Sequence, residues 1–191
     1  MARPKEFDRD AVLDRAVELF WKQGYEATSI GDLTEHLEIG RQSLYDTFGD
    51  KHALYVAALD RYRERYGGLA TDALAKPGPL RKQVREVLRT IIDATTRTGQ
   101  SCMLVNAVAE RCPHDDDVRE RFCANTAVIE EAFVRRFLQA RRDGELASGI
   151  DPRALARYFV TTINGLQISA RGGVERRALD QSADVAVSIL T

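Results

Sequence analysis

Apolar residues recur at three- and four-residue spacing almost from end to end of this chain, and that pattern limits the fold more than any other feature. In Asp8 to Gln23 they fall at Val12, Leu13, Ala16, Val17, Phe20 and Trp21, one face of a helix, with Arg9, Asp10, Arg15, Glu18 and Lys22 off it. Leu80 to about Thr96 repeats the pattern with Val84, Val87, Leu88, Ile91 and Ile92. No alternating run bounded by turns reads as a strand. Punctuation comes from Gly24, Gly40, Gly67-Gly68, Lys76-Pro77-Gly78-Pro79, Pro113, Gly144, Gly149 and Gly172-Gly173. The expectation is an all-α fold of about nine helices. At 191 residues the chain is long enough for one large domain or two small ones.

The segment EIGRQSLYDTFGDKHAL, Glu38 to Leu54, is the most informative stretch. Thr28 and Ser29 offer N-cap oxygens to a short helix carrying Ile30, Leu33 and Leu37. Glu38-Ile39-Gly40 turns the chain, and a second short helix spans about Arg41 to Phe48. Two short helices joined by such a turn form a helix-turn-helix, whose second helix reads the major groove with its N-terminal residues. Leu44 and Phe48, four apart, suffice to seat that helix. Arg41, Gln42, Ser43, Tyr45 and Thr47 are left outward. Arginine forks onto guanine, glutamine pairs with adenine, and serine takes either partner. A tyrosine hydroxyl suits a phosphate. Lys51, at the start of the next helix, joins backbone amides that face an anion.

With these residues in view, the chain resembles the TetR/AcrR family of transcriptional regulators. The resemblance rests on AVELFWKQGYEATSI, the turn, L-Y-x-x-F in the second short helix, and the D-K-x-x-L start of the fourth helix. It covers about Phe7 to Tyr62. It implies a homodimeric regulator, usually a repressor of bacterial genes, that binds a palindromic double-stranded DNA operator and is released by a small-molecule effector. It further implies a DNA-binding three-helix head over residues 1–50 and an effector-binding and dimerisation domain over 51–191. The implied DNA contacts are Thr28, Arg41, Gln42, Ser43, Tyr45, Thr47 and Lys51. Residues 1–66 hold 10 Lys/Arg against 13 Asp/Glu, a net −3. Bulk positive field therefore cannot supply the affinity, and placed groups must, aided by Arg3 and Lys5 ahead of the first helix.

A dimer reading a palindrome needs a two-fold axis. The last two helices are the expected interface, through Leu155, Tyr158, Phe159, Thr162, Leu166, Val185 and Ile189. The effector pocket is expected among the central helices, at Tyr62, Cys102, Asn106, Glu110, Phe133 and Phe159. Asn106 and Glu110 are four apart in a mostly apolar helix, the mix of few polar groups and apolar walls that suits a metabolite. A C-terminal domain that only dimerises is the alternative.

Three cysteines, an odd and sparse set, argue against a disulfide framework. The run SCMLVNAVAERC resembles the matching stretch of NemR-like repressors, which respond to electrophiles through a cysteine at the place of Cys102. The lysine of those sensors falls near Ser169 here, with Arg171 the nearest basic residue. A switch by thiol oxidation or electrophile modification at Cys102 and a buried structural thiol are both open readings. Cys112, His114, Asp115 and Cys123 match no zinc spacing, so no metal and no cofactor are expected. His36 and His52 read as surface or capping residues. With three histidines and no nucleophile–base spacing, no enzyme is expected. The N-terminus lacks a signal peptide's apolar stretch and no run is long enough to span a bilayer, so a cytoplasmic location without membrane contact is expected.

Overall fold

The structure, a computed structural model, describes residues 7–190; Arg3 and Lys5 lie outside the described residues. Ten helices and no strand occur among the described residues. They are α1 (Arg9–Gln23), α2 (Ile30–Leu37), α3 (Arg41–Phe48), α4 (Lys51–Tyr66), α5 (Leu69–Ala75), α6 (Leu80–Thr98), α7 (Met103–Glu110), α8 (Asp116–Arg142), α9 (Pro152–Arg171) and α10 (Arg176–Ser188). The count exceeds the nine or so expected because the short α5 stands apart from α4 across Gly67-Gly68. Among the described residues no helix is long and apolar enough to cross a membrane.

The starts of the early helices are fixed locally. Asp8 accepts from the Asp10 amide at 2.9 Å and opens α1. Ser29 and Asp32 form a reciprocal capping box, at 3.1 and 2.8 Å, which satisfies two otherwise unpaired donors at the start of α2. The amide and then the hydroxyl of Ser29 hold the Asp32 carboxyl below its ordinary pKa. Asp50 accepts from the Ala53 amide at 2.7 Å and opens α4. In the turn between α2 and α3 the left-handed residue is Glu38, at φ 55°, and not Gly40, whose backbone is extended.

Two apolar cores form. The first joins Phe20 of α1, Leu33 and Leu37 of α2, Leu44 of α3 and Leu54, Tyr55 and Leu59 of α4 to Met103, Leu104 and Ala107 of α7 and Val118 of α8. The division expected after residue 50 marks the end of α3, yet this core runs on through α4 to Tyr62 and takes in α7. The second core unites α5, α6, the later part of α8, α9 and α10. Its centre is a three-ring cluster, with Phe133, Phe137 and Phe159 5.5 to 5.7 Å apart. Each such buried ring contributes about 1.5–3 kcal/mol through loss of water contact.

Candidate nucleic-acid interface and internal cavity

The reader helix is built as its sequence suggests. Leu44 and Phe48 are the buried residues of α3. Arg41, Gln42 and Tyr45 are exposed, and Ser43 and Thr47 are half-buried. The Arg41 guanidinium lies over the Tyr45 ring, 5.9 Å from its centre. The Gln42 amide nitrogen donates to Asp46 at 2.8 Å, so bidentate pairing with a base requires that bond to open. Gly40 provides no side-chain cap, leaving the first-turn amides of α3 free for a phosphate. Lys51 extends its ammonium over the Tyr25 ring at 4.2 Å. Thr28 is corrected: it is fully buried, and its hydroxyl donates to the Gly24 carbonyl at 2.6 Å. Its side chain fastens the turn between α1 and α2 and has nothing left to offer DNA.

Behind the head lies a small, mostly apolar cavity of about 110 Å³. Aromatic walls come from Trp21 of α1 and Tyr62 and Tyr66 of α4, and apolar walls from Ile91 of α6, Val105 of α7 and Phe122 of α8. Tyr62 and Cys102 both line it. The other four expected residues do not. Phe133 and Phe159 are fully buried against each other, at 5.5 Å, in the second core. Asn106 and Glu110 lie on another side of α7: the Ser101 hydroxyl bonds Asn106, and Glu110 faces the head. Asn125, Thr126, Asn164 and Gln167 supply polar lining that spacing alone did not single out, because each sits on a long helix whose other faces serve the core.

Burial pushes the Cys102 thiol above its ordinary pKa, and Tyr62 lies against it with its own hydroxyl raised by burial. The cavity lining contains no Lys, Arg or His to stabilise a thiolate.

A polar junction links the two cores. The Glu110 carboxylate accepts from the Tyr25 amide at 3.1 Å and the Glu26 amide at 2.7 Å. Gly24, at φ 86°, makes room for it: a Cβ there would stand 3.0 Å from both carboxylate oxygens. Arg111 lies over the outer part of this turn, 4.3 Å from the Tyr25 ring centre, and pairs with Glu26 at 2.7 Å. Its other amine reaches Asp115 at 2.9 Å. His52, a third exposed, joins the junction: its Nε2 meets the same Asp115 oxygen at 3.0 Å. Burial opposes the Asp115 charge, but hydrogen bonds from Arg111, His52 and the Val118 amide together outweigh it and hold the carboxyl below its usual range. His52, Asp115 and Asp117 gather within 4.8 Å, the spacing of metal ligands. Arg111 donates to one of the Asp115 oxygens in this group at 2.9 Å.

On α9 and α10 the expected interface residues divide. Leu155, Phe159 and Leu166 are corrected, being buried inside this chain. Thr162 is half-buried. Tyr158, Val185 and Ile189 stand out at 39, 66 and 40% exposure, joined by Ile168 at 60%. Gly165 lies in the same exposed stripe of α9, with open space where a Cβ would be.

A helix-turn-helix reader mounted on an all-α body with an internal cavity defines a helix-turn-helix regulator. The chain belongs to the TetR family. Residues 12–58 match "Bacterial regulatory proteins, tetR family", and residues 92–185 match "Tetracyclin repressor-like, C-terminal domain". It is 35% identical to the HTH-type transcriptional regulator YezE of Bacillus subtilis (strain 168), over all of both chains. It is 33% identical to the HTH-type transcriptional repressor ComR of Escherichia coli (strain K12), over 95% of this chain and 88% of that one. Its fold superposes with a TM-score of 0.87, at 32% identity and over all of both chains, on a cysteine mutant of the TetR-family regulator CifR complexed with a 26-base-pair double-strand operator DNA. Reduced NemR of Escherichia coli shares the fold at a TM-score of 0.84 and 18% identity.

Proposed function

We propose that this TetR-family regulator is a repressor that binds a palindromic double-stranded DNA operator as a homodimer and is released by a small-molecule effector. The observation that carries the DNA role is the division of α3. Two buried residues seat it, and Arg41, Gln42 and Tyr45 face outward with no packing duty. Arg41 is assigned to a base edge, Tyr45 and Lys51 to phosphates, and Gln42, Ser43 and Thr47 to the surrounding contacts. Residues 1–50 act as the reader, and residues 51–191 bind effector and partner. The dimer forms through Tyr158, Ile168, Val185 and Ile189, which stay exposed among the described residues. Repression is supported by ComR, which is a transcriptional repressor, and operator binding by CifR, which was captured on operator DNA.

The cavity favours effector control over a domain that only dimerises. Thiol switching at Cys102 lacks the neighbouring cation that would activate it. No residue is assigned a catalytic role, and the action is cytoplasmic, on DNA.

The test is selection of DNA from a random pool by the purified chain. A palindrome with two half-sites is expected, bound with steep salt dependence. Arg41→Ala should weaken operator binding by about 1–3 kcal/mol and relax one base position in each half-site. Failure to enrich any sequence at low salt would refute the reading.

A further inference from the structure

The cavity has a chemical signature beyond its size. Its lining includes no Asp, Glu, Lys, Arg or His. The ionisable groups that remain are the thiol of Cys102 and the phenols of Tyr62 and Tyr66. Burial raises both Cys102 and Tyr62, so each stays neutral at physiological pH. A charged molecule placed there would lose its water and find no counter-charge.

The three aromatic rings do not form a cage for a cation either. Trp21 and Tyr62 have ring centres 5.1 Å apart at 73°, Trp21 and Tyr66 5.2 Å at 51°, and Tyr62 and Tyr66 5.1 Å at 34°. Rings this close touch one another and leave no room for an ammonium group between them. They present a continuous aromatic wall.

The polar lining is neutral, and its part on α8 and α9 is unengaged. The side chains of Asn125, Thr126, Asn164 and Gln167 make no hydrogen bond to another described residue, although all four line the cavity. Three are amides, which offer both donors and acceptors. They come from α8 and α9, while the rings come from α1 and α4.

Trp21 is also the chain's single tryptophan, and it belongs to the first helix of the head. Its indole donates to the Ser101 carbonyl at 2.5 Å, at the approach to α7. One wall of the cavity is thus part of the DNA-reading unit, with no intervening helix.

Building on effector control as read above, we propose that the cavity takes an uncharged, ring-bearing molecule with a hydrogen-bonding group, seated against Trp21 of the head and held by the amides of Asn125, Asn164 and Gln167. Such a molecule acts on the head directly: it cannot fill the cavity without loading Trp21, and through it α1, which packs along α4 and α2.

The test uses three single-ring probes of similar shape: benzamide, benzoate and benzylammonium. Calorimetry on the full chain reads their affinities. Acrylamide quenching of the single tryptophan reads whether each covers Trp21. The carboxamide should bind at least about tenfold tighter than either ion and shield Trp21 from acrylamide. Gln167→Met, which keeps the length but removes the amide, should weaken it about fivefold or more with helix content unchanged. Equal or tighter binding of either ion overturns the proposal, as does a carboxamide that fails to bind or that leaves Trp21 unshielded. An unchanged affinity in Gln167→Met overturns the amide's role. DNA selection is scored separately, so failure of the regulator reading is distinguishable from failure of this one.

Discussion

Replacing Asp115 by Asn probes the junction between reader and body. Asp115 is the N-cap of α8, and its side chain is 4% exposed. One carboxylate oxygen accepts two bonds from Arg111, at 3.2 and 2.9 Å, and one from His52 at 3.0 Å. The other accepts from the Val118 amide at 3.2 Å. Asparagine is as good an N-cap as aspartate, so the Val118 bond survives. The loss falls on the charge. Breaking a fully buried ion pair costs about 3–5 kcal/mol. Arg111 is not stranded here, because it keeps Glu26 and its side chain is 20% exposed. His52 is 34% exposed and can turn to water. The expected cost is therefore smaller, about 1–3 kcal/mol at neutral pH.

The pH dependence follows from the sign of the shift. The native pKa of Asp115 is depressed. Its charge therefore stabilises the fold above the unfolded value, near 4, and that stability is lost as pH falls through the native value. The gap between parent and Asp115→Asn should be full at pH 7 and close progressively below about pH 4. Urea unfolding at several pH values measures it, at one fixed protomer concentration because dimerisation adds to apparent stability. A gap under about 0.5 kcal/mol at pH 7, or one that persists into acid, would falsify the assignment.

Three further outcomes are expected. Gly24→Ala combines a positive φ with a Cβ 3.0 Å from the Glu110 carboxylate; it should lose about 1–3 kcal/mol and lower the melting temperature by several degrees in calorimetry. Lys51→Ala should weaken operator binding uniformly across sequences and make the salt slope shallower by about 1, read by titration at several salt concentrations, while base preference stays unchanged. Val185→Asp places a charge at a position 66% exposed in the single chain; the protomer should still fold, but sedimentation should show monomers and operator affinity should fall.

Much of the head was legible because its determinants are local. Asp8, Ser29 with Asp32, and Asp50 cap helices through bonds spanning two or three residues, so the starts of α1, α2 and α4 can be placed from sequence alone. The reader face was legible for the same reason: Leu44 and Phe48 lie one turn apart, and a helix so short has little else to bury. Thr28 was the exception there, since a threonine beside a cap reads alike whether its hydroxyl faces solvent or Gly24.

The cavity and the dimer face were less legible. Spacing shows that α9 has an apolar stripe, but it does not show which neighbour covers which part. Leu155 and Phe159 turn into the second core, while Tyr158, one residue from Phe159 and about 100° around the helix, turns outward. Asn106 and Glu110 share a side of α7, and only packing decides that the head, not the cavity, lies against it. Trp21 reads as one more apolar residue of α1 until α7 brings Ser101 to its indole from 80 positions away. The sequence by itself determined the helices, their caps and the chemistry of the reader. The tertiary structure decided which side chains enclose space and which only fill it, because that depends on contacts between residues far apart in the chain.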